Sequence, residues 1–163
     1  MSLVVPLSVS AGDFPSRKTG LCEIQTVIRD QGFGQTMKQC VDVASDAKMM
    51  QMGKNMSGAM GANCVKNEFR KQGSNFVSET DCAMGEMRMI SKTVFSGNFS
   101  SEYAGDTTVR YEPALMGMSE QRMKITARWL GPCEAGQKPG DIIMPNGMKM
   151  NMNSLGTLGN GAK

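Results

Sequence analysis

Polar and apolar residues alternate along most of this chain, and the alternation predicts strands. In LCEIQTVI (21–28), Cys22, Ile24 and Ile28 fall on one face and Glu23 and Gln25 on the other. TMKQCV (36–41) reads as a second short strand, after turn material at Gly32–Gly34. The period then changes. Across DVASDAKMMQMGKNMSGAM (42–60), Met49, Met52, Met56 and Met60 recur at spacings of 3, 4 and 4, which lines one face of a helix. Asp42 or Ser45 can cap its start, and Gly53, Gly58 and Gly61 weaken its far end.

From Cys64 the period of two returns. CVKNEFRK, the turn QGSN and FVSETDC form a hairpin pattern. GEMRMISKTVF puts Met87, Met89 and Phe95 on one face and Arg88 and Lys92 opposite. Ser96-Gly97-Asn98 is a tight turn and FSSEYAG returns from it; DTTVRYEP is a further strand candidate ended by Pro113, and LMGMSE is a loop. RMKITARWL (122–130) alternates cleanly, with Met123, Ile125, Ala127 and Trp129 inside and Arg122, Lys124, Thr126 and Arg128 outside. Beyond Cys133 no period is visible.

These segments predict a mostly β (α+β) domain. The expected form is a curved antiparallel meander of seven or eight strands, a half-barrel or a small barrel, with one short helix near residues 43–57. The domain runs over 12–133. Residues 134–163, rich in Gly, Asn and Met, are expected to be a flexible or loosely attached tail. MSLVVPLSVSA (1–11) is apolar and uncharged and ends in the small-x-small pattern Val9-Ser10-Ala11, the expected remnant of a truncated signal peptide.

Composition narrows the function classes. Histidine is absent from all 163 residues, which excludes Ser-His-Asp and Cys-His catalysis and His-bearing metal sites. A net charge of +3 without a dense Lys/Arg cluster argues against a nucleic-acid partner. No apolar run reaches the length of a membrane span. Aromatics are scarce at 6%, so the 17 methionines must supply core volume.

The five cysteines, Cys22, Cys40, Cys64, Cys82 and Cys133, include no CxxC pair. Wide spacing suits structural disulfides in an oxidising compartment and so a periplasmic or secreted protein. Cys22, inside a strand-like run, is the expected unpaired thiol. Spacing leaves connectivity open; the pairing expected here is Cys40–Cys64 with Cys82–Cys133. The chain-entropy model assigns such loops roughly 3.5 and 4 kcal/mol.

The order RKTGLCEIQTV, MKQCVD, NCVKNEFRKQGSNFVSETDC, GEM, FSGNFSSEY and MKITARWLGPC resembles an exported bacterial family, domain of unknown function thirty-six-seventeen, over about residues 17 to 133. The resemblance implies export, disulfides and a methionine-rich β domain, and implies no activity. The family's opening motif usually reads Gly-Leu-Trp-Glu; here it is Gly20-Leu21-Cys22-Glu23. A thiol stands where the family has a large aromatic, which supports Cys22 as the unpaired cysteine.

Three chemistries compete for the methionines and carboxylates. Met49, Met52 and Met56 on one helix face offer thioether ligands to Cu(I) or Ag(I), and Met148, Met150 and Met152 repeat the pattern in the tail. Helix-spaced methionine is also ordinary core. Glu79 and Asp81 share a strand face, but nothing fixes two carboxylates on one site, and a solvated face explains them. The expectation is a non-catalytic protein without a cofactor. It binds an apolar small molecule or an envelope protein through a surface lined by Met87, Met89, Phe95, Met123 and Trp129. Soft-metal binding is the alternative.

Overall fold

The structure, a computed structural model, describes residues 14–59 and 61–154. The described residues form one antiparallel sheet of nine strands that is not closed, plus one helix and a short helical turn at 152–154. In chain order the elements are β1 (Gly20–Ile28), β2 (Phe33–Val41), α1 (Val43–Ala59), β3 (Asn63–Gln72), β4 (Asn75–Met84), β5 (Met87–Asn98), β6 (Glu102–Leu115), β7 (Met118–Gly131), β8 (Asp141–Ile143) and β9 (Lys149–Asn151). The sheet order is β3-β4-β5-β6-β7-β1-β2-β8-β9. The expected meander is β3 to β7. It continues by pairing its last strand, β7, with β1.

Turn chemistry sets the registers. The β3–β4 and β4–β5 connections are two-residue turns led by Gly73 and Gly85 at φ +63° and +58°, the conformation in which glycine starts a primed hairpin turn. Between β6 and β7 the turn is Met116-Gly117, flanked by the pair Leu115 and Met118. The expected loop LMGMSE is therefore mostly strand. EYAG and DTTVRYEP likewise merge into the single strand β6, which runs past Pro113; Ser96-Gly97-Asn98 belongs to β5, and residues 99–101 form the β5–β6 turn instead. Gly20 has φ +138°, and a Cβ there would run into the Gly131 carbonyl oxygen across the strand pair. Only glycine lets β1 start this close to β7.

Helix α1 starts where capping chemistry places it. The Ser45 amide donates to Asp42 Oδ1 at 2.7 Å and the Asp42 amide donates to Ser45 Oγ at 2.8 Å, a reciprocal cap. Hydrogen bonds from the Ser45 amide and then the Ser45 hydroxyl hold the Asp42 carboxyl below its ordinary range.

Two further expectations change. The disulfides are Cys40–Cys133 and Cys64–Cys82, not Cys40–Cys64 and Cys82–Cys133. The β3–β4 register, shifted by one residue between Cys64 and Lys66, sets Cys64 opposite Cys82. Leu21 pairs with both Cys40 of β2 and Gly131 of β7, so Cys40–Cys133 reaches across the start of β1. The tail is also ordered as far as described. Strands β8 and β9 extend the sheet from β2, the Gly140 amide donates to the Cys40 carbonyl at 2.8 Å, and Met152 is buried. The signal-peptide stretch 1–11 and residues 155–163 lie outside the described residues.

Candidate functional site

Strand alternation sorts the side chains onto two faces. The outer face is charged. Glu79 of β4 accepts from Lys66 and Arg70 at 2.9 and 2.7 Å, and these hydrogen bonds, Arg70 first, lower its pKa from 4.5 to about 2. Asp81 pairs with Arg88 on β5 at 2.6 Å. Glu79 and Asp81 thus face cations, and they do not form an acid–base pair.

The inner face is aromatic at one end and hydroxylic beyond. Phe76, Phe95 and Gly105 are cross-strand partners on β4, β5 and β6. The neighbouring rung places Thr93 against Thr107, whose hydroxyls lie 2.8 Å apart, and the next joins Thr80 to Ser91 at 2.6 Å. Tyr111 donates to Gln121 at 3.0 Å farther along. Gly105 is required by packing: a Cβ there would lie 2.8 Å from a Phe95 ring carbon.

Residues 14–19 cross this face as a strap upstream of β1. Phe14 puts its ring among Phe69, Phe76, Phe95, Phe99 and Tyr103, with centroids 5.4, 6.3, 5.1, 5.0 and 6.4 Å away. Those rings come from β3, β4, β5, the β5–β6 turn and β6. Four flat strands at about 4.8 Å spacing would spread over ~14 Å. Their convergence on one ring therefore requires the sheet to curve around it.

Three residues on, Arg17 is buried. Its backbone amide donates to Asp46 Oδ2 at 2.9 Å and its Nε to Asp46 Oδ1 at 2.7 Å. Its Nη1 donates to Gln39 Oε1 at 3.0 Å, and its Nη2 to the Met49 sulfur at 3.3 Å. The Arg17 and Asp46 side chains are 4% and 5% exposed. Burial disfavours the charge, but Tyr103 and Asp46 more than offset it and raise the Arg17 pKa. The pair ties the strap to the first turn of α1, where a carboxylate also suits the helix dipole. Cys22 is unpaired among the described residues and lies on β1 close enough to feel Arg17 and Asp46. Burial pushes its thiol pKa up and disfavours the nucleophilic thiolate. The Tyr103 phenol is raised by the same burial. Lys18 lies over the Trp129 ring, 3.6 Å from its centre, and the indole N–H donates to the Thr19 carbonyl at 3.0 Å.

The expected ligand residues Met87, Met89, Phe95, Met123 and Trp129 all have inner-face parity. They do not form one cluster. Phe95 belongs to the aromatic group, Met123 sits one rung away opposite Thr107, Met89 is three rungs away opposite Tyr111, and Trp129 belongs to the strap anchor. Phe14, Phe69, Phe76, Phe99 and Tyr103 converge instead. Of the candidate metal ligands, Met49 meets Arg17, Met52 is half-buried, and the Met56 side chain lies outside the description. A separate open cleft of about 500 Å³ lies at the β8–β9 hairpin, between Lys138, Asp141, Lys149 and Asn151. Its Asp141 carboxylate already accepts from Asn151 and the Lys138 amide at 2.8 and 2.9 Å.

Residues 17–133 match the family described as protein of unknown function, DUF3617. The chain belongs to this family. No curated protein and no solved structure matches it. The matched segment opens at Arg17 and closes at Cys133. It spans the strap anchor, the meander and both disulfides of this DUF3617 chain, and stops before β8.

Proposed function

We propose that this DUF3617 protein is a non-catalytic binding protein of an oxidising, extracytoplasmic compartment, and that its inner sheet face takes an apolar ligand. One observation carries the proposal: four of the six phenylalanines gather on that face around a fifth, Phe14, supplied by the strap. A curved sheet whose apolar side is covered by a short strap keeps a displaceable surface. Methionines Met89 and Met123 on the same side add deformable area. An envelope protein presenting an apolar segment would use the same face. Two disulfides support the compartment. Against catalysis stands the chemistry of Cys22, a buried thiol held in its neutral form. The thioether alternative at Met49, Met52 and Met56 lacks comparable support, because the Met49 sulfur already faces the Arg17 guanidinium and a second cation there would be repelled.

Native mass spectrometry of protein exported to a periplasm and purified without reductant tests this. Extra mass of an organic molecule, lost on denaturation, is the expected result. Copper or silver mass removed by a chelator would replace it with the metal alternative.

A further inference from the structure

We propose that the slot filled by Phe14 is a binding subsite for a planar aromatic group, closed by Phe14 itself until such a group displaces it. The inference rests on the inner face being a ligand-binding face and adds to it the ligand's chemistry.

The slot's wall does not depend on Phe14. Phe69 stacks on Phe76 at 5.7 Å, Phe76 meets Phe99 at 5.6 Å, and Phe99 stacks on Tyr103 at 4.6 Å. Strand registers position Phe69, Phe76 and Tyr103, the β5–β6 turn carries Phe99, and Gly105 leaves the space for Phe95 beside them. The guest is held differently. Phe14 precedes β1, and among the described residues the strap's polar anchors begin at Arg17, with Lys18 and Thr19 following. Withdrawal of the ring therefore need break neither the Arg17–Asp46 pair nor any strand pairing.

The slot also specifies what it accepts. Phe95, Phe99 and Tyr103 meet the Phe14 ring at interplanar angles of 88°, 81° and 76°. In this edge-to-face arrangement positive ring edges meet a negative π face. A planar aromatic guest reproduces that complementarity. A saturated chain gains only buried area.

The test uses the full chain and two probes, naphthalene-2-sulfonate and decanoate, titrated calorimetrically into wild type, Phe14→Ala and Phe14→Leu. If Phe14 closes the slot, its removal lifts a conformational tax on binding. Phe14→Ala should bind naphthalene-2-sulfonate at least tenfold more tightly than wild type, the factor that a docking preference of about 1.4 kcal/mol imposes. Phe14→Leu, which fills the slot by apolar area alone, should fall between wild type and Phe14→Ala, and decanoate should gain less than the naphthalene. A sharp urea transition in each variant excludes binding by a loosened fold. Should Phe14→Ala lack that transition, Phe14→Val, with a partly emptied slot, should show a smaller gain of the same sign. Equal affinity of wild type and Phe14→Ala for the naphthalene would overturn the closure and leave the inner-face proposal standing. An equal gain for decanoate would overturn the aromatic specificity. Binding of neither probe to any variant would sink both proposals.

Discussion

Removing the Asp46 carboxylate should be among the most damaging single changes in this chain. Asp46→Ala leaves the Arg17 guanidinium inside the protein, where its side chain is 4% exposed, and deletes the acceptors of two bonds at 2.7 and 2.9 Å. An unsatisfied buried donor costs about 1–3 kcal/mol, more when charged. Breaking a buried pair by removing one partner costs about 3–5 kcal/mol. Loss of a carboxylate near the helix N-terminus adds about 0.3–1 kcal/mol. A total near 4 kcal/mol is a large part of the ~5–15 kcal/mol that stabilises a typical domain. With a urea slope of about 2 kcal/mol/M, the midpoint should fall by about 2 M. The double variant Arg17→Met, Asp46→Leu removes both charges and keeps apolar volume, so it should cost less than Asp46→Ala alone, although Gln39 loses its donor. The assay is urea unfolding with disulfides intact, read by circular dichroism at constant slope. A loss below 1 kcal/mol for Asp46→Ala, or a double variant equal to the sum of its singles, would refute a coupled buried pair as the strap's anchor.

Gly105→Ala should cost about 1–3 kcal/mol by forcing the Phe95 ring aside, and the same unfolding assay would show an unchanged midpoint if the cluster is loosely packed. Cys22 should resist a thiol reagent in the native state and react stoichiometrically after denaturation; rapid labelling of folded protein would contradict its burial. Non-reducing peptide mapping should give Cys40–Cys133 and Cys64–Cys82, and the longer loop should contribute more, about 4.5 against about 3 kcal/mol, when each pair is replaced by serine. Glu79 has a folded pKa of about 2 against an ordinary 4.5, so its stabilisation is present above the unfolded value and is lost as pH falls from 4.5 towards 2; Glu79→Gln should flatten that part of the stability profile.

Strand faces were legible in the sequence because alternation is local. Arg88 and Lys92 are exposed opposite the Met87, Met89 and Phe95 parity, as the pattern predicts. The helix start at Asp42 was equally legible, since capping involves residues three apart. What depends on distance was not. Nothing in RKTG marks Arg17 as buried, because its partner lies 29 residues downstream. The aromatic cluster needs sheet curvature to bring rings from four strands together, and no single window shows curvature. The Cys64–Cys82 pair turns on a one-residue register shift, although the QGSN hairpin already placed the two cysteines near each other. In MKMNMN, methionine recurs at every second position, Met148, Met150 and Met152, but three residues among Lys and Asn are too few to mark a strand. Composition decided for a tail, whereas the chain forms β9 there and buries Met152.

The seam between β1 and β7 joins Ile28 to Met123 and Cys22 to Trp129, residues about a hundred positions apart. β1 must therefore wait for β7 before its second neighbour exists. Until then β1 and β2 form only a hairpin, with one side of β1 unpaired and Ile24 and Ile28 uncovered. Contacts of such long sequence separation slow folding towards the millisecond-to-second range. A ribosome adding about 5–20 residues each second finishes the chain only after many seconds in which that edge stays open. Timing, rather than final stability, makes this the segment most in need of protection from aggregation.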